Sequence, residues 1–84
     1  MNQAIQFIDR VEFDEQTQLL TFYAQVSGLM VECIVNAQNL AISDIDEAKQ
    51  HFEMLRFDYE ELAEQLIEDE EYNSAGQIEI KAIT

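Results

Sequence analysis

Residues 19–35 read LLTFYAQVSGLMVECIV, two runs rich in β-branched and aromatic residues on either side of Ser27 and Gly28. A two-residue connection of this kind is typical of a tight β-hairpin, and it fixes which residues face each other. Side chains alternate between the faces of a strand, so the apolar residues of both runs share one face. The predicted cross-strand pairs are Val26–Leu29, Ala24–Val31, Phe22–Cys33 and Leu20–Val35. The stretch therefore predicts a hairpin with one core face and one mixed, partly wet face.

Two further strands are predicted near the ends of the chain. Residues 4–8, AIQFI, favour a first strand. Residues 9–17 favour a loop or irregular hairpin in which the strand resumes at Val11 and Phe13. Residues 77–83, QIEIKAI, alternate in the same way as the hairpin and favour a closing strand.

A first helix is predicted after the hairpin, where the spacing of apolar residues changes. Ser43 has the chemistry of an N-cap, and the acidic residues that follow it suit the first turn of a helix over residues 44–56. Helical spacing places one apolar stripe on this segment. Its members are Ile45, Ala48, Phe52 and Leu55.

A second helix is predicted to follow at once. Asp58 is the expected N-cap, with Glu61 three residues on, as in a capping box. Phe57 and Leu62 have the spacing of the matching hydrophobic staple. The residues expected on the buried face are Tyr59, Leu62, Ala63, Leu66 and Ile67, and NSAG at residues 73–76 is expected to end the helix.

The order of these elements is β-β-β-α-α-β. Helices that are segregated from a mostly antiparallel sheet form a two-layer α+β sandwich. We therefore expect residues 1–84 to form one small domain, with an antiparallel sheet of about four strands and two helices packed on one face.

The charge balance of the chain excludes several classes of partner. Acidic residues number 18 against four basic ones, which gives a formal net charge of -14. Such a field repels nucleic-acid phosphates and anionic membranes, and it attracts a basic protein, a polyamine or a cation. No signal peptide and no apolar run of about 20 residues is visible in the sequence, so a cytoplasmic location is predicted.

Acidic residues dominate the second predicted helix. Glu60, Glu64 and Glu68 recur every four residues and are expected to lie opposite the apolar stripe. Two readings stay open: a face that is only solvated, or a docking surface for a basic protein. The main hypothesis is a non-enzymatic protein-interaction module that uses this face, with Tyr23 and Met30 of the sheet available for forming a homo-oligomer.

The alternative hypothesis is a domain that binds a small ligand or a cation. Arg56, at the joint of the two helices, could clamp an anion, although a structural role beside nearby acids is favoured. Carboxylates at residues 69–73 could bind a hard cation weakly. They do not complete a calcium loop, because Ser74 stands where Gly is needed and Ile80 where a bidentate Glu is needed.

Enzyme chemistry is not expected, and neither is a cofactor or a metal. Cys33 lies on the apolar face of the predicted hairpin, where a buried Cys acts as a small hydrophobe. As a lone Cys it excludes an internal disulfide and a Cys-based zinc site. His51 stands four residues after Glu47 and is expected to form an ordinary exposed pair. The chain has no glycine-rich phosphate loop and no serine elbow.

Residues 6–35 and 51–67, together with the closing strand, resemble a family of small bacterial proteins known as domain of unknown function 1488. The shared positions are the acid–base pair Asp9 and Arg10, Gly28, Cys33, the junction of Phe52, Arg56, Phe57 and Asp58, and then Ala63 and Ile67. Ile8 departs from the family, whose members often carry Pro there. The resemblance implies a small α+β fold from proteobacteria with no established activity and no catalytic residue.

Overall fold

The central hairpin forms as its sequence predicts. The computed structural model describes residues 5–83, in which β2 (Leu19–Val26) and β3 (Leu29–Asn36) pair antiparallel. Ser27 and Gly28 both have positive φ, 51° and 86°, as the two central residues of a type I′ turn require. All four predicted apolar pairs are confirmed, from Val26–Leu29 at the turn to Leu20–Val35 at the far end.

The first strand, β1 (Ile5–Asp14), is longer than predicted and pairs antiparallel with β2. The predicted strand start at residue 4 lies outside the described residues. The register shifts between Ile8 and Val11, so that Asp9 and Arg10 are extra to the pairing. Because two residues are inserted, the alternation of side chains keeps its phase on both sides of this bulge. Phe7 and Val11 therefore both pack against the core.

The first helix, α1 (Ile45–Met54), begins one residue later than the predicted cap allows. Asp44, not Ser43, is the N-cap, and its carboxylate accepts a hydrogen bond from the backbone N–H of Glu47 at 2.9 Å. The Glu47 carboxylate in turn accepts from the backbone N–H and the hydroxyl of Ser43. The prediction of Ser43 as the N-cap is therefore wrong by one residue, because Asp and Ser are about equally good caps and their preferences do not separate two neighbours.

The second helix, α2 (Arg56–Glu68), shows that the predicted start at Asp58 is wrong. Leu55 alone separates the two helices, and no side chain caps α2. With so short a joint, Asp58 falls inside the first turn, where a carboxylate still favours the positive end of the helix dipole. The predicted hydrophobic staple is also absent, because 82% of Phe57 is exposed.

The end of α2 is set by a residue that the sequence does not mark. Glu70 adopts a positive φ of 57°, and the backbone N–H of Glu71 donates to the carbonyl of Leu66 at 2.9 Å. This is the hydrogen-bond pattern of a Schellman-type helix end, which Gly usually provides. The helix therefore stops before residues 73–76, where the sequence predicts its end.

The last strand, β4 (Ile78–Ile80), completes a four-stranded sheet in the order β1-β2-β3-β4. It is shorter than the predicted residues 77–83, and it runs parallel to β3. The predicted α+β class and element order are confirmed, but the sheet is mixed rather than wholly antiparallel. The reason is the connection: a crossover through both helices brings the chain back in the direction of β3.

Both helices pack against one face of the sheet. At the centre of this core, the ring of Phe22 lies 4.8 Å from the ring of Phe52 and 6.1 Å from that of Tyr59. Among the residues predicted to be buried in α2, Leu66 is only half-buried and Leu62 is exposed. The buried core residues of the helices are Ala48, Phe52, Tyr59, Ala63 and Ile67.

The other face of the sheet carries no helix, and we call it the open face. Its central members alternate with the core residues of β2 and β3. They are Leu19, Thr21, Tyr23, Glu32 and Ile34. Across residues 5–83, neither helix has the length and apolarity that a membrane span requires.

Candidate functional site

The predicted acidic stripe of α2 does not lie wholly opposite the core. Glu60 and Glu64 are half-buried, and only Glu68 is fully exposed. Residues four apart shift by about 40° around a helix of 3.6 residues per turn, so the stripe winds from the edge of the core toward solvent. The acids that do face solvent form what we call the acidic helix surface. They are Asp58, Glu61, Glu68 and Asp69.

Arg56 is held by carboxylates from three parts of the chain. Its guanidinium pairs with Glu53 in the last turn of α1, with Asp9 of the β1 bulge at 3.3 Å, and with Glu60 at 3.6 Å. It also lies over the ring of Phe52, 5.2 Å from the centroid. Arg56 therefore ties the bulge to the helix joint, in line with the structural role favoured for it over an anion clamp.

Glu60 belongs to this cluster rather than to the solvent-facing surface. Only 19% of its side chain is exposed. Burial raises the pKa of Glu60 above its ordinary value, although Arg56 acts in the opposite direction. The nearby charge of Glu64 adds to the increase. A half-buried carboxylate that already shares a guanidinium has less to offer a partner than the exposed acids of the same helix.

The acidic helix surface has no positive charge of its own. No Lys or Arg occurs from residue 57 to residue 80, and the one cation of α2, Arg56, is engaged elsewhere. Glu68 and Asp69 stand at the C-terminal end of the helix, where the negative pole of the dipole disfavours carboxylates. Like charges at Glu64 and Glu68, four residues apart, add a further few tenths of a kcal/mol of repulsion, about 0.2–0.5.

His51 contacts Tyr59, a core residue whose burial the sequence predicts but whose hydrogen bond to His51 it does not. Its Nε2 lies 2.6 Å from the hydroxyl of Tyr59, which also accepts a hydrogen bond from the backbone N–H of Ile83 at 3.0 Å. Burial lowers the pKa of His51, which favours the neutral imidazole, and the neutral tautomer with an unprotonated Nε2 can accept the Tyr59 hydroxyl proton. Tyr59 is fully buried, and this arrangement satisfies its one polar group while it ties the C-terminal segment to both helices. The predicted exposed pair with Glu47 is not formed, since Glu47 bonds to Ser43.

Cys33 lies where the hairpin register predicts, inside the core. It is fully buried, and burial raises the pKa of its thiol to about 12. A thiol with so high a pKa is protonated at neutral pH, and the thiolate is the nucleophilic form. His51 is bonded to Tyr59 instead of activating this thiol.

The bulge residue Arg10 organises one half of the open face. Its guanidinium lies 4.8 Å from the centroid of the Tyr23 ring and 2.5 Å from the carboxylate of Glu12. The Tyr23 hydroxyl donates to Glu12 at 2.6 Å, and this bond raises the pKa of Tyr23 to about 12. Tyr23 is consequently buried, although no helix covers it, whereas 56% of Met30 is exposed. Of the two residues expected to serve self-association, only Met30 is accessible.

The other half of the open face is concave. A hollow of about 640 Å³ lies between the β1–β2 turn and the strands, and an adjoining hollow of about 440 Å³ shares Leu19 and Ile34 with it. Within residues 5–83 there is no group of three His, Cys, Asp or Glu side chains that could hold a metal ion. Weak binding of a hard cation at residues 69–73, which the alternative hypothesis allows, would therefore have no such group to use among these residues.

The proteins that resemble this chain assign it to a family, but their descriptions give no activity. The model of the family described as "Protein of unknown function (DUF1488)" matches residues 5–80. The uncharacterised protein YrdB of Escherichia coli is 35% identical, over 93% of this chain and 96% of its own length. Its counterpart in Shigella flexneri is 34% identical with the same coverage.

A solved structure shows the same fold. The crystal structure of a protein of unknown function from the DUF1488 family of Shewanella loihica is 34% identical and aligns with a TM-score of 0.79. The alignment covers 100% of this chain and 99% of that one. The resemblance noted in the sequence is confirmed: the chain belongs to the DUF1488 family of proteins of unknown function.

Proposed function

We propose that the protein is a non-enzymatic binding module that docks a basic surface of another protein through the acidic helix surface of α2. One observation carries this proposal: the exposed carboxylates at the C-terminal end of α2 have no cation in their own helix to balance them. A cationic partner would relieve both the repulsion among these acids and their unfavourable interaction with the helix dipole. Long-range attraction by a net charge of -14 would also speed the encounter.

The surroundings of the acidic helix surface support a protein partner rather than a small cation. Phe57, with 82% of its surface exposed, and Leu62, with 42%, lie on the same helix among these acids. Exposed aromatic and aliphatic side chains add apolar area that a protein surface can cover and a metal ion cannot. Cys33 and His51, the two candidate reactive groups, are both held in structural roles.

The test is a pull-down at low salt from a lysate of the organism that encodes the protein, read by quantitative mass spectrometry. The altered bait carries Glu61→Lys and Glu68→Lys, which change exposed residues and leave Glu60 beside Arg56. The control bait carries Gln38→Lys, Asp46→Lys and Gln50→Lys, which change the net charge equally at other exposed positions.

Proteins that the native and control baits capture, and the altered bait loses, would support the proposal. Their capture should weaken as salt is added, because exposed charges are screened. If all three baits return the same proteins, the acidic helix surface is only solvated and the proposal fails.

A further inference from the structure

From the open face we infer a second binding surface: the hollow between the β1–β2 turn and the strands binds a short, extended basic peptide segment that carries an apolar side chain. This inference rests on the proposed function in one respect, namely that the partner is basic. The inference goes beyond the proposed function because it concerns a second surface: the hollow and the acidic helix surface lie on opposite sides of the two-layer sandwich.

The open face has two halves that differ in cover: Arg10 covers one of them, and the hollow occupies the other. Arg10 folds over Tyr23 and completes that half with side chains of this chain. Beyond Glu12 there is no comparable cover among the described residues, and Leu19, Thr21 and Ile34 are left half-buried on the floor. A sheet face of this kind, half finished and partly apolar, is a surface that a partner can complete.

The lining of the hollow specifies the chemistry of its occupant. Its floor offers apolar contact at Leu19, Thr21 and Ile34, and its rim is acidic. Arg and Lys side chains suit such a site, since their aliphatic stems pack on apolar surface while their charged ends reach the rim. A volume of about 640 Å³ lies within the range of ligand pockets and can take a few side chains. The rim carboxylates are Glu12, Asp14, Glu15 and Glu32.

Some of these rim carboxylates already accept hydrogen bonds within the chain, so they differ in their remaining capacity to pair with a cation. Glu12 bonds to Arg10 and Tyr23, and Glu32 accepts a hydrogen bond from Gln77 at 2.7 Å. A carboxylate has several acceptor positions, so one bond to a neutral amide leaves Glu32 free to pair with a cation. Glu15, at the tip of the turn, is exposed.

Charge also decides between a basic peptide and a second copy of this chain. Face-to-face association of two copies would bring two acidic rims together in molecules that each carry a net charge of -14. Like charges that face each other across an interface are strongly unfavourable. In the adjoining hollow, Lys81 stands beside Glu79 and marks the end where the acidic character falls off.

The test measures binding of a short fluorescein-labelled peptide, a Leu flanked on both sides by Arg residues, by fluorescence anisotropy. A second peptide with Ser in place of Leu keeps the charge and removes the apolar contact. Three proteins are compared: native, Glu15→Lys with Glu32→Lys on the hollow, and Glu61→Lys with Glu68→Lys on α2. The two double variants have the same net charge, so only the position of the change differs.

The inference predicts that the hollow variant weakens the Leu peptide about tenfold or more, since attractive contacts become repulsive there. The α2 variant should bind nearly as the native protein does, and the Ser peptide should bind less tightly. Equal weakening by both variants would reveal diffuse attraction and overturn the inference. Loss only with the α2 variant would overturn it as well, while the proposed function would stand. Failure of both peptides to bind would count against the hollow alone, because the pull-down tests α2 separately.

NMR provides a measurement that needs no variant: the changes in the backbone amide chemical shifts of the native protein when the peptide is added. Shifts confined to Leu19, Thr21, Ile34 and the β1–β2 turn would place the peptide in the hollow. Shifts on α2 would place it elsewhere. Shifts at the hollow that follow protein concentration without peptide would assign this face to a second copy and overturn the inference.

Discussion

The two faces of the sheet are built from alternating residues of the same strands, yet they differ in burial and in polarity. In β2, Leu20 and Phe22 point into a core that the helices close, whereas Thr21 and Tyr23 point to the face that no helix covers. The core between the sheet and the helices is apolar apart from the hydroxyl of Tyr59 in α2, which bonds to His51 and to the backbone N–H of Ile83. The open face keeps its charges and its hollow. The buried apolar packing therefore lies on the side of the sheet that faces the helices, while the other side carries polar and charged side chains.

The largest effect is expected where the two faces differ most in packing. Phe22→Ala should lower the free energy of unfolding by about 3–5 kcal/mol, because it opens a cavity between Phe52 and Tyr59. Thr21→Ala, one residue away on the open face, should change it by less than about 1 kcal/mol. Urea denaturation measures both, and Phe22→Leu provides a milder change if the Ala variant is already unfolded. Similar losses at Phe22 and Thr21 would remove the distinction between the faces.

A smaller difference in the free energy of unfolding is expected between Phe variants of the two tyrosines whose hydroxyls form hydrogen bonds within the fold. Tyr59→Phe leaves His51 and the backbone N–H of Ile83, both half-buried, without their partner, and should cost about 1–3 kcal/mol. Tyr23→Phe frees Glu12, an exposed carboxylate that water can solvate, and should cost about 0.5–1.5 kcal/mol. Thermal and urea unfolding of both variants give the comparison. A larger cost at Tyr23 would mean that the open face is the better ordered of the two.

The smallest predicted effect is a dependence of stability on pH that arises from His51 of α1, on the side of the sheet that the helices cover. The folded protein lowers the pKa of His51, so it binds the proton less readily than the unfolded chain does. His51 should not influence stability above its ordinary pKa of 6.5, and it should reduce stability progressively as the pH falls below that value.

His51→Gln isolates this contribution, because Gln can still accept from the Tyr59 hydroxyl but does not titrate. The difference in unfolding free energy between native protein and variant should shift in favour of the variant as the pH falls. The subtraction also removes Glu60, whose raised pKa acts in the opposite direction in acid. A difference that stays constant with pH would show that His51 titrates normally and that its contact with Tyr59 opens readily.

Local patterns in the chain were sufficient for the hairpin and insufficient for the helix joint. Ser27 and Gly28 set the register of β2 and β3, because a two-residue turn allows only one pairing. The sequence predicts Ser43 and Asp58 as the two caps, but the chain uses Asp44 for α1 and no side-chain cap for α2. Cap chemistry ranks candidates only weakly, so the packing of the two helices on the sheet decided their ends.

The candidate surfaces divide in the same way. The acidity of α2 could be predicted from the sequence, but the exposure of each Glu could not. Glu occurs both on the half-buried sides of the helix and on its exposed side, so the residue type does not distinguish them. The links between Asp9 and Arg56, 47 residues apart, and between Tyr59 and Ile83 have no local signal. Neither does the hollow, whose lining is assembled from β1, the β1–β2 turn, β2, β3 and Gln77.

Taken alone, the order of residues determined the hairpin, the α+β class and the family, since alternation, turn chemistry and helical spacing act over a few residues. The direction of β4, the half-burial of Glu60 and the shape of the open face were settled only when distant segments packed together. These features depend on which surfaces are removed from water by neighbours far away in the chain, and that cannot be known until the fold is complete.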